Sequence, residues 1–186
     1  FNLKRFYYNR FNRIVPPLVI LIFIVLVLAH LVYFPDTITN IANNALSSTL
    51  FLSNIAYYFQ SDYFNTASHN NPLLHTWSLS VEWQFYLIFP LLLLLFKKNY
   101  FRKKIYFQLI IFLIILISFV SIYVISGYDK SLSFYIFPTR AWELMVGTLV
   151  YVNEDKIKHR IPILLRKICA VLGYILILYF MIFYDD

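Results

Sequence analysis

Two arginines three residues apart carry the first candidate chemistry of this chain. Tyr8-Asn9-Arg10-Phe11-Asn12-Arg13-Ile14-Val15-Pro16 stands directly before a long apolar run. On a helix, positions three apart share a face, so Arg10 and Arg13 would present two guanidinium forks side by side. Such forks grip phosphate oxygens bidentately, as a nucleotide-like donor requires. The same pair also suits a plainer task, anchoring a helix end against anionic lipid headgroups.

A second constellation is Leu74-His75-Thr76-Trp77-Ser78-Leu79-Ser80-Val81-Glu82-Trp83-Gln84-Phe85-Tyr86. If the helix starts at His75, then His75, Ser78 and Glu82 fall on one face. A carboxylate in apolar sequence is costly to bury without a task or a partner. With His75 beside it, Glu82 could serve as general acid or base, or could orient a sugar hydroxyl. The alternative is a structural ion pair at Glu82, with Trp77 and Trp83 as interface anchors. A third cluster, Pro138-Thr139-Arg140-Ala141-Trp142-Glu143-Leu144, sets Arg140 and Glu143 three apart, where they can neutralise each other. Either could instead reach Glu82 or the arginine pair. Of the other histidines, His30 reads as a packed polar residue, His69 as part of a polar loop and His159 as part of a basic loop. No His/Cys/Asp/Glu spacing resembles a metal site, so no metal is expected. The three glycines are isolated, which excludes a glycine-rich phosphate loop.

These groups must be positioned by elements built from unusual material. Of 186 residues, 61% are hydrophobic, 20% aromatic and only 13% charged. Typical soluble domains carry about 25% charged residues, so neither a disordered chain nor a water-exposed enzyme fits. The formal charge of +7 does not point to nucleic acid, because the basic residues lie between apolar runs and form no stripe. An integral membrane protein remains: all-α, a polytopic transmembrane helical bundle. A crossing helix needs about 20 mostly apolar residues. Five spans are expected, near 14–34, 79–96, 105–126, 134–152 and 163–184, with an extracytoplasmic loop at 35–74. Pro16-Pro17 would sit in the first turn of the first span, and Arg166 and Lys167 would snorkel at the start of the last. Within the loop, 45–59 is apolar enough to lie in the interface as an amphipathic or re-entrant segment. Cys169 is the single cysteine, so no internal disulfide framework exists.

The charges support that topology. Fourteen of the 16 basic residues fall on one side, leaving Lys130 outside and Arg140 within a span. Asp36, Asp62, Asp129, Asp185 and Asp186 fall opposite. The positive-inside rule makes the Arg10/Arg13 side cytoplasmic. The chain begins at Phe1 and ends on Asp185-Asp186 straight after an apolar run, and is expected to be part of a longer one.

At all three constellations the chain resembles the acyltransferase 3 family of membrane-embedded O-acyltransferases, which modify bacterial envelope sugars. The family pattern Tyr-x-x-Arg-x-x-Arg-Ile-x-Pro is matched over residues 7–16, with Arg10 and Arg13 as its arginines. Thr-Trp-Ser-Leu-x-x-Glu-x-Gln-Phe-Tyr is matched over 76–86, and Arg-x-Trp-Glu-Leu-x-x-Gly over 140–147. The resemblance implies a bundle of about ten spans in the bacterial cytoplasmic (inner) membrane, of which this chain is about half. It implies acyl transfer, usually of acetyl, from acyl-CoA to a hydroxyl of O-antigen, exopolysaccharide or peptidoglycan. Arg10 and Arg13 would then bind acetyl-CoA. Glu82, with His75 nearby, would lie toward the acceptor at the far end of the bundle. Arg140, Glu143, Trp77 and Trp83 would be structural or line the substrate path. Membrane lipids, acyl-CoA, a saccharide acceptor and flanking spans of the same chain are the partners this implies; nucleic acid is not among them. The family's catalytic histidine lies in a span upstream of the arginine pair and has no counterpart here, and His30 does not take its place. The segment alone is therefore expected to be inactive. The alternatives are a non-enzymatic transporter or flippase segment for a lipid-linked saccharide, and a structural membrane subunit. In intact cells, a membrane-impermeant thiol reagent should reach a cysteine placed at Asp36 from outside. It should reach one at Arg10 only after permeabilisation, with Cys169 replaced by serine throughout.

Overall fold

Asn2 opens the first helix: its side-chain oxygen accepts the Arg5 backbone N–H at 3.2 Å, an N-cap. The computed structural model describes residues 2–61, 71–96 and 104–183, and among these every regular element is helical. The first, α1, runs unbroken over Leu3–Val32. Pro16 and Pro17 thus lie inside it and not in its first turn. The cap at Asn2 starts the helix well upstream, and the prolines only withhold donors from the carbonyls four residues back. At 30 residues, α1 is about 45 Å long, well beyond a hydrocarbon core of about 30 Å. The arginine pair therefore rides on the same rod as the apolar run.

After Tyr33-Phe34 the chain doubles back through Pro35 into α2, Pro35–Thr49. Ile41 and Ala45 of α2 are buried with Ile14, Leu18, Ile22 and Ala29 of α1, together with Phe51 and Leu73. The region 45–59, read as one amphipathic stretch, is broken at 50–52, and α3 (Ser53–Ser61) leads away again. Phe51 makes the turn with a left-handed φ of 56°, which costs a bulky residue about 1–3 kcal/mol. Three contacts offset that cost. Its ring stacks on Trp83 with centroids 4.5 Å apart, its carbonyl accepts from the Gln84 side chain at 3.3 Å, and its N–H donates to the Ser48 carbonyl at 3.1 Å. Since Trp83 also meets the Phe11 ring at 6.4 Å, the tip of this helical hairpin comes down beside the N-terminal half of α1.

The hairpin is fastened to α4, Thr76–Phe96, by polar side chains spaced four apart. Thr76 pairs with Ser48 at 2.7 Å, Ser80 with Ser53 at 2.7 Å, and Gln84 with Asn54 at 2.9 Å. Asn54 also donates to the Tyr135 carbonyl at 3.1 Å, and the Tyr57 hydroxyl to the Leu73 carbonyl at 3.0 Å. Polar groups removed from water must pair with each other. Asn44, Ser48, Ser53 and Asn54, part of the polar content that suggests a loop, are thus buried on the inner face of a packed hairpin.

Helix α5 covers Lys104–Ser126 and is followed by α6, Lys130–Tyr135. Asp129 caps α6 through the Leu132 N–H at 2.9 Å and accepts the Tyr58 hydroxyl at 2.9 Å. The Leu132 N–H first, and the Tyr58 hydroxyl second, hold this carboxyl below its ordinary value. The cap therefore survives mild acid and is lost only as pH falls through the lowered value. The expected span 134–152 is not continuous. The chain is extended at Ile136, and α7 covers Phe137–Val152, because Pro138 has no N–H for the Phe134 carbonyl four residues back and its ring would clash there. The Thr139 hydroxyl closes the joint on the Ser133 and Ile136 carbonyls at 2.7 and 2.8 Å. Ser118 of α5 donates to the Pro138 carbonyl at 2.5 Å and accepts the Trp142 N–H at 3.0 Å.

Packing divides the chain into Phe1–Val146 and Gly147–Asp186. The second unit holds the end of α7, then α8 (Glu154–Arg160) and α9 (Ile163–Phe183). Helix α8 replaces the expected basic loop, with acids in its first turn and Lys158, His159 and Arg160 in its last, matching the helix dipole. No residue of α9 is buried within the chain. Among the described residues, three helices, Leu3–Val32, Ile105–Ser126 and Ile163–Phe183, are long and apolar enough to cross a membrane. Asn54→Leu strands partners on both α4 and α6; it should cost about 1–3 kcal/mol in detergent unfolding. Ile55→Leu, on the exposed side of α3, should stay within about 0.5 kcal/mol.

Candidate functional site

Helices α1 and α4 cross in opposite directions, and three contacts fix their register. The Tyr7 hydroxyl donates to the Leu87 carbonyl at 3.1 Å, Phe11 meets Trp83 edge-on, and Arg10 lies over the Tyr86 ring. Arg10 is half-buried, its guanidinium carbon 4.7 Å from the Tyr86 centroid and 5.4 Å from that of Phe6. This stacking holds the face of the guanidinium. Its in-plane N–H donors make no hydrogen bond to any described residue, so a cation is held in place with its donors unspent. Arg13, three residues further along the same helix, is exposed and makes no ion pair among the described residues.

The Tyr86 hydroxyl donates to Glu82 Oε1 at 2.5 Å, one helical turn away. Arg10, Tyr86 and Glu82 thus form one line from α1 to α4. Glu82 was expected at the far end of the bundle from the arginines; it lies one aromatic ring away from Arg10. The reason is the hairpin, which fills the depth that α4 would otherwise occupy, so that α4 enters beside the middle of α1. Glu82 is half-buried, and its second oxygen has no hydrogen-bond donor among the described residues.

His75 does not join this group. Helix α4 begins at Thr76, leaving His75 exposed in the preceding turn. Its carbonyl accepts the Ser78 hydroxyl at 2.9 Å. Seven residues of helix, about 10 Å of rise, separate it from Glu82. The expectation of one shared face depended on a helix starting at His75. His30 is exposed on α1 and not packed, and His69 lies outside the described residues.

Arg140 and Glu143 bind each other at 2.8 Å, and neither reaches Glu82 or the arginine pair. Arg140 also donates from Nε to the Phe134 carbonyl at 3.3 Å. Its guanidinium sits 4.8 Å from the Phe134 ring and 5.4 Å from Trp77. Trp77 packs on Phe134 at 4.6 Å and edge-on to Tyr135 at 5.7 Å. Trp83 is the middle ring of a column running from Phe11 to Phe51. Both tryptophans therefore pack against aromatic neighbours within the unit. Among the described residues, no group of three His, Cys, Asp or Glu could hold a metal ion. Sequence reasoning missed Tyr86, although its spacing of four from Glu82 was a usable signal. It also missed the spacing of Thr76, Ser80 and Gln84.

Chemically, the line offers an anion-binding edge at one end and a carboxylate at the other, separated by a single ring. Residues 1–186 match the acyltransferase domain family. Over 185 residues the chain is 34% identical to the peptidoglycan O-acetyltransferase OatA of Listeria monocytogenes, covering 97% of this chain and 30% of that protein. It is 33% identical over 153 residues to the O-acetyltransferase OatA of Staphylococcus aureus, covering 80% of this chain and 24% of that one. An uncharacterized protein of Haemophilus influenzae is 35% identical over 162 residues, 83% of this chain and 65% of its own length. The chain thus spans under a third of the two O-acetyltransferases. No solved structure matches it. Arg10→Lys keeps the charge but loses the guanidinium's contact with the Phe6 and Tyr86 rings. It should lower unfolding stability in detergent by about 0.5–2 kcal/mol, and Arg13→Lys should change it by less than about 0.5 kcal/mol.

Proposed function

Because the chain belongs to the acyltransferase 3 family, we propose that it supplies the donor-binding face of a membrane O-acyltransferase that moves an acyl group, acetyl foremost, from acyl-CoA to a hydroxyl of a cell-envelope sugar. The observation that carries this reading is Arg10: a half-buried guanidinium lying over the Phe6 and Tyr86 rings whose N–H donors remain available to phosphate. With Arg13 beside it, two forks would hold the phosphates of the donor at the cytoplasmic face of the bacterial inner membrane.

In the transfer, the sugar oxygen attacks the thioester carbonyl, the carbon–sulfur bond breaks and the thiol of CoA leaves. The proton of the sugar hydroxyl must go to a base. Glu82, with one oxygen held by Tyr86 and the other open, would orient that hydroxyl or share its proton. Donor and acceptor then meet at one site beside Tyr86, and the saccharide approaches from the side bearing 35–74, past His75 and the Trp77, Arg140 and Glu143 cluster. The two O-acetyltransferase relatives are consistent with this assignment, and a peptidoglycan, O-antigen or exopolysaccharide hydroxyl is the acceptor class it takes.

In the full-length protein, Arg10→Ala and Arg13→Ala should each weaken acetyl-CoA binding about tenfold or more, the value of a charged hydrogen bond to phosphate. Glu82→Gln should bind donor normally and lose transfer. Isothermal titration and a radiolabelled acetyl transfer assay read these outcomes. CoA affinity unchanged in both arginine variants, with lipid-linked saccharide still crossing the membrane, would instead mark a flippase.

A further inference from the structure

We propose that Tyr86 is a positioning residue for this transfer, tying the donor-binding Arg10 to Glu82 through one rigid ring. The proposal rests on the donor-site reading of Arg10 given above. Two contacts on opposite parts of the same side chain carry it. The ring face supports the Arg10 guanidinium at 4.7 Å, and the hydroxyl reaches Glu82 Oε1 at 2.5 Å, the short length of a charge-assisted O–H···O bond. A tyrosine ring has no bend between its face and its hydroxyl, so moving one contact moves the other.

The surroundings leave the ring little freedom. Phe85 packs edge-on to it at 5.9 Å and Phe6 at 6.1 Å. One residue further along α4, the Leu87 carbonyl is held by the Tyr7 hydroxyl of α1, which pins the two helices at this level. Phosphate bound along the guanidinium edge fixes the plane of Arg10. The ring beneath it is then held as well, and its hydroxyl keeps Glu82 Oε1 in place. Tyr86 thus aligns the carboxylate only when the donor end is in register. Displacements near 1 Å cost about a hundredfold in rate, so such alignment bears directly on turnover.

Phenylalanine at this position keeps the ring under Arg10 and removes only the link to Glu82. In the full-length protein with acetyl-CoA and a saccharide acceptor, Tyr86→Phe should lower kcat about tenfold or more. It should leave KM for acetyl-CoA within about twofold. Tyr86→Leu, which also loses the stacking face, should raise that KM as well. Combining Tyr86→Phe with Glu82→Gln should cost no more than Glu82→Gln alone, as for two groups acting through one link. Should Tyr86→Phe fail to fold, Tyr86→Trp keeps a ring face but brings no hydroxyl to Glu82, and the same split between kcat and KM is expected. An unchanged kcat, a parallel change in kcat and KM, or multiplicative losses in the double variant would overturn the tie alone. Wild-type protein that binds no acetyl-CoA would overturn the donor-site reading, and this proposal with it.

Discussion

Three hydrogen-bonded rungs between α4 and the α2–α3 hairpin set the level of everything else in the first unit. Thr76, Ser80 and Gln84 recur every four residues, so their side chains stack along one edge of α4 and meet Ser48, Ser53 and Asn54. Away from water each of these groups is expensive to leave unpaired, so slippage of the hairpin by one turn would break the whole series at once. The rungs therefore act as a depth gauge. They bring Phe51 down to Trp83, and Trp83 to Phe11. With α4 held at that height, Tyr86 can lie only beside Arg10.

The strained turn at Phe51 belongs to the same constraint. A left-handed aromatic is unfavourable in isolation, and here it survives because the stack on Trp83 and the Gln84 contact exist only in that conformation. Gln84 serves both ends, bonding Asn54 and the Phe51 carbonyl. One side chain thus links the polar rungs to the aromatic column, and the column borders the stacked arginine.

Much of this architecture was legible in the sequence, and the parts that were not share a cause. Long uninterrupted apolar runs announce helices, and paired arginines ahead of one announce a charged helix end. Hydropathy cannot say where a helix starts when a cap lies outside the apolar run, which is why Asn2 displaced the expected start of α1. Nor can it distinguish a polar loop from a helix whose polar side chains face another helix. Residues 35–61 look like the first and are the second, because Ser48, Ser53, Asn54 and Tyr57 find partners on α4. The Pro138 break was visible but read as tolerable inside a span. The union of Arg10 with Glu82 depends on long-range register, which no local pattern carries.

The two adjacent prolines of α1 bear on how the arginine-bearing arm behaves mechanically. Neither Pro16 nor Pro17 has an amide hydrogen, so the carbonyls of Asn12 and Arg13 lack the usual donors at those positions. Elsewhere along the rod, flexing would stretch hydrogen bonds; at this joint there are none of that kind to stretch. The helix is softest immediately after its second arginine. The contacts of Tyr7, Arg10 and Phe11 with α4 thus brace from outside the stretch whose own backbone is weakest at its far end.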